Sequence, residues 1–69
     1  MNLTPRQKEI LGFIKAFHAK WSLNPTVADL TKAGFGSRQN IRYHLWSLKE
    51  KGRIEFVYID DRMRGVKII

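Results

Sequence analysis

Two rhythms of apolar and polar positions divide this chain. From Ile10 onward apolar side chains recur every three or four residues, at Ile10, Ile14, Phe17 and Trp21, with Leu11 and Phe13 beside them. That spacing is the inward face of an amphipathic helix. Thr4-Pro5-Arg6-Gln7 supplies its start. Thr4 can cap, Pro5 suits the first helical position, and Gln7 can close a capping box. Leu3, just before the cap, can pack back on Lys8 or on later apolar residues as a staple. The helix is expected from about Pro5 to Lys20. Ser22-Leu23-Asn24-Pro25 ends it, because a proline disfavours helix at the residue before it. Thr26, with Asp29 three positions on, opens a second capping box and a short helix, Val27 to Ala33. Val27, Leu30 and Ala33 are expected on its inner side.

Gly34 follows where a helix end favours a left-handed residue. Phe35 is expected to plug the core from the turn, Gly36 to keep that turn tight, and Ser37 to cap a third helix running to Lys51. On this helix Ile41, Leu45 and Leu48 fall at i, i+4 and i+7 and must face the other two. Gln39, Tyr43, Trp46 and Glu50 point away, while Arg42 and Ser47 flank the stripe and Asn40 lies toward the side. After Gly52 the rhythm changes. Arg53 to Ile59 is β-branched and aromatic, Asp60 to Arg64 is polar and turn-like, and Gly65 to Ile69 alternates as a strand. Three helices followed by a hairpin make an α+β fold, mainly α, with the element order of a winged helix-turn-helix. No repeat, low-complexity stretch or linker interrupts it, so residues 1–69 are expected to form a single domain.

Size and composition narrow the picture. A 69-residue chain buries only about 60% of the surface its unfolded form exposes, so its core must be well patterned. It contains no cysteine. His18 and His44 are far apart, which argues against a zinc staple and suits a reducing cytoplasm. Neither histidine has a partner at metal-ligand spacing. His44, beside the apolar stripe, reads as a partly buried structural residue and His18 as a surface one. No apolar run approaches the roughly 20 residues of a membrane span, and Met1 to Lys20 lacks the pattern of a signal peptide. No metal or other cofactor is expected. Asp60 and Asp61 are adjacent on a loop and form no rigid acid–base pair, and no Ser, Lys or His motif is present. Catalysis is therefore not expected.

Thirteen basic and six acidic residues leave a net charge of +7, an excess that attracts polyanions. Its distribution is uneven. Residues 1–20 carry Arg6, Lys8, Lys15 and Lys20 against Glu9, and residues 37–54 carry Arg38, Arg42, Lys49, Lys51 and Arg53 against Glu50. The segments between and after are neutral overall. A basic helix with hydrogen-bonding side chains on its outer face is suited to a nucleic-acid groove. Gln39 and Asn40 suit adenine, and Arg42 suits guanine O6 and N7. Lys49, Lys51, Arg53, Arg62 and Arg64 are expected on phosphates, as are Arg6 and Lys8 near the positive end of the first helix. Arg38, at the start of the third helix, is placed with them. Trp46, apolar on an outward face, is expected to meet sugar–phosphate, a second protomer, or Tyr58 of the wing. Trp21, Phe17, Phe13, Phe35 and Phe56 follow the inward rhythm and are expected in the core.

Several blocks closely resemble the amino-terminal region of LexA-type SOS repressors. They are LTPRQKEILGFIKAF at Leu3 to Phe17, NPTVADL at Asn24 to Leu30, His44-Leu45, Lys51-Gly52 followed by Ile54, and Arg64-Gly65-Val66. The resemblance covers nearly the whole chain. It implies a winged helix whose third helix binds operator DNA, a bacterial or phage origin, and action in the cytoplasm on the chromosome. By position it places base readers at Ser37, Gln39, Asn40, Arg42 and Tyr43. LexA proteins also carry a carboxy-terminal domain with a Ser-Lys dyad that cleaves and dimerises the repressor. These 69 residues hold no stretch resembling it, so neither self-cleavage nor that dimer interface is expected of them. Arg42 and Tyr43 depart from familiar reader patterns, so the operator does not transfer. The Asp60 to Arg64 loop looks longer than usual for the family.

The expected partner is double-stranded DNA, bound for transcriptional repression, with two copies on a palindromic site as the route to tight binding. Two alternatives stay open: a protein-interaction module that meets a host regulator or polymerase, and the DNA-binding half of a longer repressor.

Overall fold

The computed structural model describes residues 2–69. Three helices, α1 (Pro5–Trp21), α2 (Val27–Lys32) and α3 (Arg38–Glu50), precede an antiparallel hairpin of β1 (Ile54–Ile59) and β2 (Arg62–Ile68). This is the winged helix expected from the element order.

Local chemistry sets the helix ends. In α1 the Thr4 hydroxyl accepts from the Gln7 backbone N–H at 3.1 Å, and the Thr4 N–H donates to Gln7 Oε1 at 3.2 Å. Thr26 and Asp29 repeat this arrangement in α2. Ser37 Oγ caps α3 by accepting from the Asn40 N–H at 3.2 Å. The carboxyl end of α2 closes as a Schellman motif. The Gly34 N–H donates to the Thr31 carbonyl and the Phe35 N–H to the Leu30 carbonyl, with Gly34 at φ +90°, a conformation open to a residue without Cβ. The end of α3 repeats the pattern through Gly52 and Arg53, which donate to the Lys49 and Leu48 carbonyls.

The core is Ile10, Ile14, Val27, Leu30, Ile41, Leu45, Leu48, Ile54 and Val66. Every element contributes, and each fully buried side chain of this kind contributes roughly 1.5–3 kcal/mol of transfer free energy. Leu3, Phe13, Phe35 and Phe56 pack against this cluster while partly buried. Phe35 meets Phe13 edge-on at 5.4 Å, so it plugs the turn as expected. Phe17 is half-buried, and so is His44.

Three expectations are corrected. Trp21 is not core: it is 55% exposed, with the Lys20 ammonium 4.9 Å from its ring. A 17-residue helix is about 25 Å long. The buried positions of α1 end at Ile14, so its last turn overshoots the core. Ala33 is exposed, because α2 ends at Lys32 and Ala33 has rotated about 120° from Val27 at 100° per residue.

The wing loop is short. Ile59 pairs with Arg62 across a two-residue turn, and Asp60 and Asp61 both take positive φ, 54° and 63°. This is the geometry of a type I′ hairpin, whose twist matches that of the strands and which Asp tolerates. Residues 62–64 therefore belong to β2.

The wing packs on α1 and α3 and is also pinned to the loop between α1 and α2. The Val66 N–H donates to the Pro25 carbonyl at 2.9 Å. A Cβ on Gly65 would lie 2.8 Å from Asn24 Cβ and 3.1 Å from its carbonyl oxygen, so only glycine allows β2 to approach the loop between α1 and α2 so closely. Just before this point the ladder slips. Val57 faces Gly65 and Tyr58 faces Met63, which leaves Arg64 as the extra residue of a β-bulge.

Candidate nucleic-acid interface

Ile41, Leu45 and Leu48 are buried and anchor α3. Its opposite side is open: Gln39, Asn40, Arg42, Tyr43 and Trp46 are all exposed, Tyr43 at 69% and Trp46 at 56%. Among the described residues, the side chains of Gln39, Asn40, Arg42 and Tyr43 take part in none of the internal hydrogen bonds of the fold. Ser37 is exposed as well. Its hydroxyl accepts the Asn40 N–H, which leaves its own proton free to donate.

The predicted phosphate ligands do not form one group. Arg6 is drawn to its own helix, paired with Glu9 at 3.3 Å and 5.8 Å from the Phe35 ring centroid. Lys8 and Arg53 are exposed. Lys49 lies 4.9 Å from the Trp46 ring and 5.9 Å from that of Phe56. Lys51 is half-buried, and its ammonium donates to Gln7 Oε1 at 2.8 Å and to the Asn2 carbonyl at 3.0 Å. That cation ties the end of α3 to the start of α1.

Gln7 is the centre of this tie and was visible in the sequence only as a capping residue. It is 2% exposed. Its Oε1 accepts from the Thr4 N–H and from Lys51, and its Nε2 donates to Ser47 Oγ at 3.2 Å. A buried amide is tolerated only with its partners in place, and here they come from the residue that caps α1, from α3 and from the residue after α3. The angle between α1 and α3 is thereby held by polar contacts as well as by packing.

The other arginines converge. Arg38 and Arg42, one turn apart on α3, and Arg62 and Arg64, on β2, line one furrow of about 460 Å³ between α3, the start of α2 and the wing. Among the described residues no carboxylate lines it. The ion pairs among the described residues, Arg6–Glu9 and Glu55–Lys67, leave these four arginines out. Asp60 and Asp61 sit at the wing tip. Met63, which sequence reasoning did not single out, also borders the furrow. Extending the strand alternation back from Gly65 to Arg62 would have been the signal for it.

Among the described residues no three His, Cys, Asp or Glu side chains gather as a metal site, and no helix is long and apolar enough to cross a membrane.

Comparison with known proteins agrees with this geometry. The family model described as the LexA DNA binding domain matches residues 1–65. The chain is 42% identical over 67 residues to a LexA repressor of Shewanella woodyi, covering 96% of this chain and 32% of that protein. It is 37% identical over 68 residues to LexA repressor 2 of Pseudomonas syringae pv. tomato, covering 97% and 33%. With a LexA repressor of Dechloromonas aromatica it shares 39% identity over 70 residues, covering 100% and 34%. The chain thus spans about a third of the length of the curated relatives it matches. On a family match over nearly its whole length, carried by a winged helix with an open basic third helix, this chain belongs to the LexA DNA binding domain family.

Proposed function

We propose that residues 1–69 act as one DNA-binding domain that recognises a specific double-stranded sequence and represses transcription there, in the cytoplasm on the chromosome. In this reading α3 lies in the major groove. Ser37, Gln39, Asn40 and Tyr43 face base edges, with Arg42 at the border of that face, and the wing lies along the backbone. The observation that carries the reading is the two-sidedness of α3. One stripe is locked into the core, and the other presents donors and acceptors that the fold itself does not use. A major groove offers a distinct donor and acceptor pattern for each base pair, and each good bidentate contact is worth about 1–3 kcal/mol of discrimination. The +7 charge supplies the sequence-independent attraction.

A lone domain of this size touches few phosphates, so tight binding calls for two copies on a palindrome, with half-sites about 34–36 Å apart or a multiple of that. Selection of bound duplexes from a random pool tests the reading. Enrichment of one motif, in palindromic form for the paired mode, is the expected result. A pool that stays unenriched while bulk DNA is still retained sinks sequence recognition.

A further inference from the structure

Away from α3, a second furrow runs between α1 and the end of the hairpin. One part of it, about 450 Å³, is bordered by Ile14, His18 and Asn24 and, across from them, by Lys67. The next part, about 230 Å³, is bordered by Leu11, Gly12 and Arg53. Lys15 and Ile68 border both, so the two form one groove. No residue of α3, and none of the four arginines of the other furrow, lines it.

The sequence of α1 builds one wall. Leu11, Lys15 and His18 stand at i, i+4 and i+7 and share a face. The other wall is where the two ends of the hairpin meet. The Ile69 N–H donates to the Arg53 carbonyl at 3.2 Å, which sets Arg53 beside the end of β2. The floor is apolar, with Ile14 buried, Leu11 half-buried and Ile68 still 41% exposed. The rim is cationic. Lys15 and Arg53 are exposed and take part in none of the ion pairs among the described residues, while Lys67 is held by Glu55 at 2.9 Å. Among the described residues no carboxylate lines the groove.

Gly12 points the same way. It lies inside a 17-residue helix, where glycine is the poorest residue after proline. A Cβ there would meet nothing within 4 Å, so the packing of the fold does not call for its absence. The bare position leaves the backbone of α1 open along the groove, as glycine does where a ligand comes close.

We infer that this groove docks an extended acidic segment of another protein, with apolar side chains on Leu11 and Ile68 and carboxylates on Lys15 and Arg53. An extended chain turns successive side chains to opposite sides, so a segment alternating acidic and apolar residues offers one kind to the rim and the other to the floor. From Leu11 to His18, α1 rises about 10 Å, the span of about three residues of such a chain. A nucleic-acid backbone matches less of the surface, since its phosphates use the rim and leave the apolar floor uncovered. The inference goes beyond DNA recognition. The groove leaves α3 free, so one domain can hold a duplex and a protein at once.

The test titrates the whole isotope-labelled chain with a peptide of about eight alternating Asp and Leu residues and follows the amide resonances. Saturable shifts at Gly12, Lys15 and Ile68 are expected, and an excess of duplex DNA is expected to leave them in place. Gly12→Leu fills the groove and is expected to weaken the peptide by about tenfold, the scale of an overpacked contact. Lys15→Gln is expected to weaken it about two- to fivefold, the range of an exposed ion pair. Neither residue belongs to the DNA-reading surface, so both variants should hold duplex DNA as wild type does. A thermal melt no lower than that of the wild type excludes unfolding as the cause.

The absence of saturable shifts, equal binding by a poly-glutamate peptide of the same length, or shifts confined to α3 and the wing arginines would each overturn the inference. So would displacement of the peptide by the duplex, which would put both ligands on one surface, and so would variants that bind the peptide as wild type does. Failure of the wild type to bind duplex DNA sinks the DNA reading alone, and the peptide titration still decides the groove.

Discussion

α3 has polar residues on two of its borders, and the fold treats them in opposite ways. On the border facing α1, Ser47 and Lys51 meet the buried amide of Gln7, and the amide's oxygen and nitrogen both have protein partners. On the border facing the wing, Arg38 and Arg42 line one furrow with Arg62 and Arg64, and none of the ion pairs among the described residues involves them. The difference separates structure from function. Polar groups whose partners are internal hold elements together, while polar groups gathered without partners are left for a ligand. Charge alone does not make the distinction, since Lys51 and Arg42 are both cations of the same helix region.

Substitutions can break this contrast, beginning with the core on which both borders depend. Leu48→Ala removes a fully buried side chain and should destabilise the domain by about 2–5 kcal/mol, read as a lower urea midpoint. A loss below about 1 kcal/mol would mean that α3 is not seated as described. Gly65→Val forces a side chain into Asn24 and should cost about 1–3 kcal/mol through overpacking. It should also shift the wing arginines, so DNA affinity should fall by more than the lost stability explains. Equal DNA affinity in the folded fraction would show that the placement of the wing is not needed.

Gln7→Ala strips partners from Ser47, Lys51 and the Thr4 N–H and should cost about 1–3 kcal/mol, with the DNA salt slope unchanged. A lower slope would show that the α1 border also holds phosphate. Tyr43→Ala lies at the other extreme. An exposed change of this kind should move stability by no more than about 0.5 kcal/mol while altering which sequences the pool selection enriches. A selected motif identical to that of the wild type would remove Tyr43 from the reading face.

Much of this organisation was legible in the chain because it is local. The caps at Thr4, Thr26 and Ser37 and the stripe of Ile41, Leu45 and Leu48 were predicted from spacing and appear as predicted. Gly34 takes the expected positive φ. Where spacing misled, the cause was the shape of the whole. Trp21 keeps the helical rhythm but lies beyond the reach of the core. The polar run Asp60 to Arg64 looked like a loop, yet cross-strand pairing takes Arg62 to Arg64 into β2 and leaves a two-residue turn. Polarity reports on solvent, and the residues of an exposed hairpin are polar whether or not they pair.

By itself the sequence determined the order of the elements, the two faces of α3 and the basic character of the domain. Periodicity, capping and charge act over a few residues and need no partner from elsewhere. Tertiary structure alone decided which cations stand together. It turned Lys51 inward to Gln7 and set Arg42 opposite Arg62 and Arg64 across a furrow. The first contact spans 44 positions of chain, and the second depends on the hairpin register and on the contact of Gly65 with Asn24, across 41 positions. Only packing brings such distant residues together, and no local pattern encodes that geometry.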